Sequence, residues 1–271
     1  MSWLQAILDQ RLTDQLLVFT LVLARVSGLV MTAPIFGSQS VPAQARALLA
    51  VSLSALAMPL AWGRATPNFD EPLCAIVLLG AETLVGVALG LAVTIVFTGV
   101  QLAAHVVGVV SGIQAADVYD PTADATAPVF GEIMFYVTLA IFVLIGGHRK
   151  ALAGLLDTFQ WMPPGAASFP EDLAGGVTTL VAQSFILAIR AAAPTMTALL
   201  LANLVLGFVS RTVPQLNIQA VGFGLNSLAT LGMLAASLGA IAWLFQEHVD
   251  PALDEVLSAF SRAVSPGQAP P

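Results

Sequence analysis

Charge is scarce in this chain of 271 residues. Only 9% of its side chains are Asp, Glu, Lys or Arg, whereas a soluble globular domain carries about a quarter. The deficit argues against an ordinary water-soluble fold. It points to a chain that crosses a membrane or is surrounded by apolar partners. Positive charge is scarcer still, with nine basic against sixteen acidic residues and a net charge of −7. No basic stripe exists, so a nucleic-acid partner is not expected. There is one cysteine, Cys74, which rules out an internal disulfide and reads as a small packing residue. The three histidines, His105, His148 and His248, stand far apart and never in a ligand spacing, so no metal site is expected. No nucleophile elbow, phosphate-binding loop or paired-metal pattern occurs, and the chain reads as neither an enzyme nor a cofactor protein. The first residues hold Asp9, Arg11 and Asp14, unlike the basic start of a cleavable signal.

Apolar residues, 58% of the chain, fill the space that charge leaves and fall largely in long runs. Trp3, Leu4, Ile7, Leu8 and Leu12 repeat at helical spacing and predict a short amphipathic helix. A first apolar helix follows over Leu16–Ala33, stopped at Pro34, and a second over Ala43–Ala61. The loop Trp62–Pro72 is polar. Leu73–Ala116 is too long for one span of about 20 residues, and reads as two helices or one bent near Thr98 and Gly99. A fourth helix, Val129–Ile145, closes at Gly146, where His148, Arg149 and Lys150 read as cations at a helix C-terminus. Ala151–Phe159 continue helically, and Trp161–Gly165 and Phe169–Asp172 make a long loop. Leu173–Val213 contains Pro194, which predicts a kink. Ile218–Phe245 is the last apolar stretch. An amphipathic helix then carries Val249, Leu253, Val256, Leu257 and Phe260 opposite Asp250, Asp254 and Glu255. No internal repeat is visible. The expected fold is all-α, a polytopic membrane-associated protein with long kinked helices and helical hairpins. It forms one helical domain over 1–264 with a disordered tail over 265–271.

Several residues stand out against this apolar background. Arg25, Glu82 and Arg190 lie inside apolar helices, where an isolated charge costs several kcal/mol or more, so each should meet a partner or a wet cavity. Glu82 can pair with Arg25 or with Arg190, as a lining for a conduit or as an ion pair that fixes helix register. Gly86 with Gly90, and Gly108 with Gly112, are small-residue pairs that let helix backbones approach closely. The segment 117–128 holds Asp117, Tyr119, Asp120, Pro121, Asp124 and Pro128 without apolar periodicity, and reads as a loop or broken helix. Between the last two apolar stretches come Arg211, Pro214, Gln215 and Asn217, then Gly222 and Phe223. Here Pro214 would end one helix, the amides would satisfy freed backbone groups, and Arg211 would sit near a helix C-terminus.

These motifs, in this order, resemble the flagellar biosynthesis FliR family and its virulence-system counterpart SctT. The resemblance runs from about Leu16 to Ile241. It is carried by Ala24-Arg25-Val26-Ser27-Gly28, Thr32 to Gly37, Val41 to Arg46, Glu82 with Gly86 and Gly90, Gln101 with Gly108 and Gly112, Asp120-Pro121, and Asn203 through Phe223. Four positions depart from the family pattern: Ala81, the Val110-Ser111 pair, and Gly224. The resemblance implies a subunit of the flagellar type III protein export gate. It would form part of the conduit, and of its seal, through which unfolded flagellar proteins pass. It implies FliP-like, FliQ-like and FlhB-like partners, a place in the bacterial inner membrane at the flagellar basal body, and subunits that can be lifted out of the bilayer plane. The segment 117–128 would help plug the closed pore. The rival reading is a small-solute secondary transporter with helices interrupted at its binding site, for which Pro194 and Arg190 speak. Such transporters usually show two matching halves, which this sequence lacks.

Overall fold

The computed structural model describes residues 2–37, 41–61, 72–112, 129–167, 173–213 and 218–264. The segment 117–128, Pro214, Gln215, Asn217 and the tail 265–271 lie outside them. Among the described residues every regular element is a helix: α1 (Ser2–Thr32), α2 (Pro34–Gly37), α3 (Ala43–Ala61), α4 (Pro72–Ser111), α5 (Val129–Leu144), α6 (Gly147–Trp161), α7 (Leu173–Thr212) and α8 (Ile218–Val264). Five are long and apolar enough to cross a membrane, or six if α5 and α6 together make one span.

The joins differ from the expected ones. The amphipathic start and the first apolar segment are a single helix, α1. The run from Leu73 is one helix of 40 residues. Pro194 lies inside the 40-residue α7, and Pro251 inside the 47-residue α8, which absorbs the expected terminal amphipathic helix. A proline removes one backbone hydrogen bond and crowds the preceding turn. The helical bonds on either side hold the helix through it, because an apolar backbone has few other partners. Arg149 and Lys150 occupy the first turn of α6 rather than a helix C-terminus, so the helix dipole opposes their charge. The break before them comes from Gly146, whose φ of 75° is left-handed. Cys74 is exposed near the start of α4 and is not a packing residue.

The chain forms two compact units. The first comprises residues 1–94, 146–179 and 250–271. Its core begins on α1, where Leu21, Val22, Val26 and Leu29 recur at three- and four-residue spacing and are fully buried. They face Val85 and Leu89 of α4, also fully buried. Glycines set this seam. A Cβ on Gly86 would overlap the carbonyl oxygen of Arg25, one on Gly28 would overlap that of Thr83, and one on Gly90 would overlap the Thr32 hydroxyl. With backbones this close, Thr94 Oγ1 donates to the Thr32 carbonyl at 2.7 Å. Leu155 and Phe159 of α6 and Leu253, Val256 and Phe260 of α8 complete the core, with Leu257 seated on Gly154.

The second unit comprises residues 95–145 and 180–249. Phe97, Phe142 and Phe245 meet edge to face, with ring centroids 5.1–6.3 Å apart, the arrangement that aromatic quadrupoles favour. Gly99 lies against the Ser184 carbonyl oxygen, where a Cβ would stand at 2.7 Å. α7 and α8 pair through Leu206 on Gly222 and through Asn226 Nδ2, which donates to Asn203 Oδ1 at 2.9 Å.

Candidate functional site

The most concentrated polar chemistry is buried in the first unit. Arg25 and Glu82 both have zero exposure, and Arg25 Nε donates to Glu82 Oε2 at 2.6 Å. Arg25 Nη1 donates to Thr158 Oγ1 and to the Met162 carbonyl, each at 3.1 Å. The guanidinium also stacks over the Phe159 ring, 4.4 Å from its centroid, a favourable cation–π position. The second carboxylate oxygen, Glu82 Oε1, accepts the backbone N–H of Gly165 at 2.7 Å. One cation and one anion thereby join α1, α4, the last turn of α6 and the turn beyond it.

The local sequence explains how the last donor arrives. Pro163, Pro164, Gly165 and Ala166 form a turn closed by the Ala166 N–H on the Pro163 carbonyl at 2.9 Å. Proline at the second position and a glycine with φ 87° at the third is the type II signature. The Met162 N–H on the Thr158 carbonyl, at 2.8 Å, caps α6 just before it. Thr158 Oγ1 donates to the Leu155 carbonyl, which leaves its lone pairs toward Arg25.

The cluster is almost closed. Arg25 Nη2 is buried and has no hydrogen-bond partner among the described residues, and that raises its desolvation cost. A buried ion pair adds little net stability against an apolar replacement, yet removing one partner costs roughly 3–5 kcal/mol. The arrangement suits a register lock. With both carboxylate oxygens taken and both groups out of water, it holds no exposed acid, base or nucleophile.

The other candidate residues lie elsewhere. Arg190 is exposed on α7, so it is not a buried charge, and Glu82 pairs with Arg25 instead. Gly86 and Gly90 lie on the α1–α4 seam, and Gly108 is buried on α4. Gly112 does other work. With φ 77° it ends α4, and its N–H reaches the Val109 carbonyl at 3.2 Å. Arg211 is exposed in the last turn of α7. Phe223 is half exposed near the start of α8, and Gly222 is buried. Sequence reasoning missed Thr158, Phe159, Met162 and Gly165 as partners of the charges. The proline-proline-glycine turn was visible, but not what its amide faces. It also missed the Asn203–Asn226 bond, for which amides in apolar runs were the only signal.

A second ion pair, Lys150 Nζ to Asp250 Oδ2 at 2.6 Å, is roughly half exposed and contributes about 0–1 kcal/mol. Among the described residues no group of three or more His, Cys, Asp or Glu side chains is placed to hold a metal.

Apolar surface is the other notable feature. Leu200, Leu201, Leu204, Val205 and Phe208 of α7 are each 57–62% exposed, and Leu228 and Trp243 of α8 are 71% and 65% exposed. Only 17% of the most apolar window of α3, and the same share in α7, is buried. Contiguous apolar surface on this scale requires lipid or other subunits.

Residues 16–252 match the sequence profile of the bacterial export proteins, family 1. The chain is 31% identical over 227 residues to the flagellar biosynthetic protein FliR of Escherichia coli, covering 84% of this chain and 86% of that protein. It is equally similar, 31% over 227 residues, to FliR of Bacillus subtilis, covering 82% and 86%. To the secretion system apparatus protein SsaT of Salmonella typhimurium it is 25% identical over 161 residues, covering 59% and 62%.

Proposed function

This chain belongs to the bacterial export proteins, family 1, and from that premise we propose that it acts as a subunit of the flagellar type III protein export gate. It is a membrane-embedded component of the export apparatus. It supplies part of the conduit wall, and of its seal, for unfolded flagellar proteins. The observation that carries the reading is the match to flagellar biosynthetic proteins across most of both chains. The exposed apolar faces of α3, α7 and α8 support it, because a subunit that completes itself only among neighbours leaves such faces open. The partners are other gate subunits of the FliP-like, FliQ-like and FlhB-like kinds, and the site of action is the inner membrane at the flagellar basal body. The flagellar names of the relatives that match most of the chain favour this reading over a solute transporter.

Within the gate, Arg25 and Glu82 hold register and the glycine seam sets helix spacing. Arg190, exposed on α7, is left to line the conduit or face a neighbour. The segment 117–128, with Asp117, Tyr119, Asp120, Pro121, Asp124 and Pro128, is assigned to the seal. Proline-punctuated polar chain at membrane depth is tolerated where it lines water or is buried in protein. Deleting residues 118–127 should raise ion leakage through the assembled gate, and unchanged conductance would sink the plug. The export role is tested by removing the gene from its own host. Secretion of hook and filament proteins should stop and return with the wild-type chain. Continued secretion without the chain would refute the proposal.

A further inference from the structure

A groove of about 400 Å³ opens between α1 and α3 in the first unit. Leu23, Val30 and Met31 wall one side, and Ala47, Ala50 and Val51 the other. Ser27 also lines it, with its hydroxyl already donated to the Ala24 carbonyl. The remaining polar group is Arg46, one turn inside the start of α3. Its Nε is shut off from water and, among the described residues, has no hydrogen-bond partner. Among the described residues Arg46 forms no ion pair, and no carboxylate lines the groove.

The size and lining are those of a small-ligand site, an apolar cleft of about 300–1,000 Å³ with one or two fixed polar groups. The polarity is graded. The cation stands near the beginning of α3, and the apolar wall leads away from it to Leu23 and Val51. Both walls are candidate membrane spans, Leu12–Thr32 and Ala43–Ala61, and the α3 span is among the least buried. A cation near the end of a span sits at headgroup level. The walls run for eight residue steps, about 12 Å or two helical turns, a short seat for a packed helix but a fitting one for a chain of methylenes. We infer that this groove seats one acyl chain of an anionic phospholipid, with the lipid phosphate on Arg46. The guanidinium gives the phosphate paired N–H donors. Basic pockets between membrane helices are known anionic-lipid seats. The inference rests on membrane embedding and not on the export role.

The experiment is native mass spectrometry of the full chain, stripped of lipid in mild detergent. Phosphatidylglycerol and diacylglycerol of the same acyl chains are then added in equal amounts, and inorganic phosphate in a third arm. Phosphatidylglycerol should be retained about tenfold or more over diacylglycerol, which lacks the phosphate, as one lost charge-assisted hydrogen bond implies, and inorganic phosphate should not displace it. Arg46→Gln should erase the preference. Ala47→Phe, at an exposed position, should fill the groove and abolish retention of both lipids without unfolding the chain. Should Arg46→Gln fail to fold, the wild-type ratio and Ala47→Phe still decide. Equal retention of the two lipids, unchanged binding in Ala47→Phe, or displacement by inorganic phosphate would overturn the assignment. So would efficient cross-linking of Ala47→Cys to another subunit in membranes, which would make the groove a protein interface.

Discussion

Glu82→Gln changes one charge and almost no volume. It leaves Arg25 buried opposite a neutral amide, and the expected loss is about 3–5 kcal/mol, read from unfolding in detergent. A loss below about 1 kcal/mol, the scale of an exposed pair, would show that the pair does not hold the unit together. Replacing both groups, Arg25→Met with Glu82→Leu, should recover most of that loss, since both desolvation costs then vanish. A double variant as unstable as the single would contradict this account. The two charges were legible in the sequence as anomalies in apolar runs. Their company was not. Thr158 lies 133 positions from Arg25, and the second donor to Glu82 is a backbone N–H, which every residue but proline carries and no letter announces.

At the scale of the helix, glycines that look alike in sequence divide by what lies opposite. Gly86→Ala places a methyl on the Arg25 backbone carbonyl, which cannot swing aside as a side chain would. The expected cost is about 1–3 kcal/mol of overpacking. Gly80 is on the same helix with open space around it, so Gly80→Ala should stabilise by about 0.4–1 kcal/mol through the unfolded chain. Thermal midpoints of the two variants should move in opposite directions, and a shared direction would count against the seam. The apolar stretches were legible because membrane-length runs are a strong signal. The junctions were not. Pro194 read as a kink inside its helix and does lie inside α7, but the helix expected to end near Phe245 runs on through Pro251, since a local breaker is outweighed by the backbone bonding of a long apolar segment. Gly112 read as a packing residue because spacing cannot report a left-handed φ.

For the molecule as a whole, the exposed face of α7 carries the sharpest expectation. Leu204→Lys with Phe208→Glu touches residues 57% and 62% exposed, so the isolated chain should lose no more than about 0.5 kcal/mol. Co-purification with the other gate subunits should nevertheless fall about tenfold or more, as loss of an interface hot spot implies. Unimpaired co-purification would mean that this face meets lipid and not protein. Scarce charge and the order of short motifs made membrane residence and the export role legible. Which apolar faces turn inward was not legible, because a helix apolar all round has no periodicity to read. The residues of the assigned seal lie outside the described part of the chain, so its place was read from motif order alone.

The clasp around Glu82 also sets a clock. Arg25 precedes Glu82 by 57 positions and Gly165 follows it by 83. A ribosome adding about 5–20 residues each second takes about 4–17 s to make that second interval. Throughout it the nascent chain has at most the ion pair, without the amide, the threonine or the aromatic face that finish it. The first four helices therefore wait, half-fastened, for the end of α6. Nascent chains cut short before Met162 should be cleared by membrane proteases faster than the complete protein, so quality control can read completion at a position well before the C-terminus.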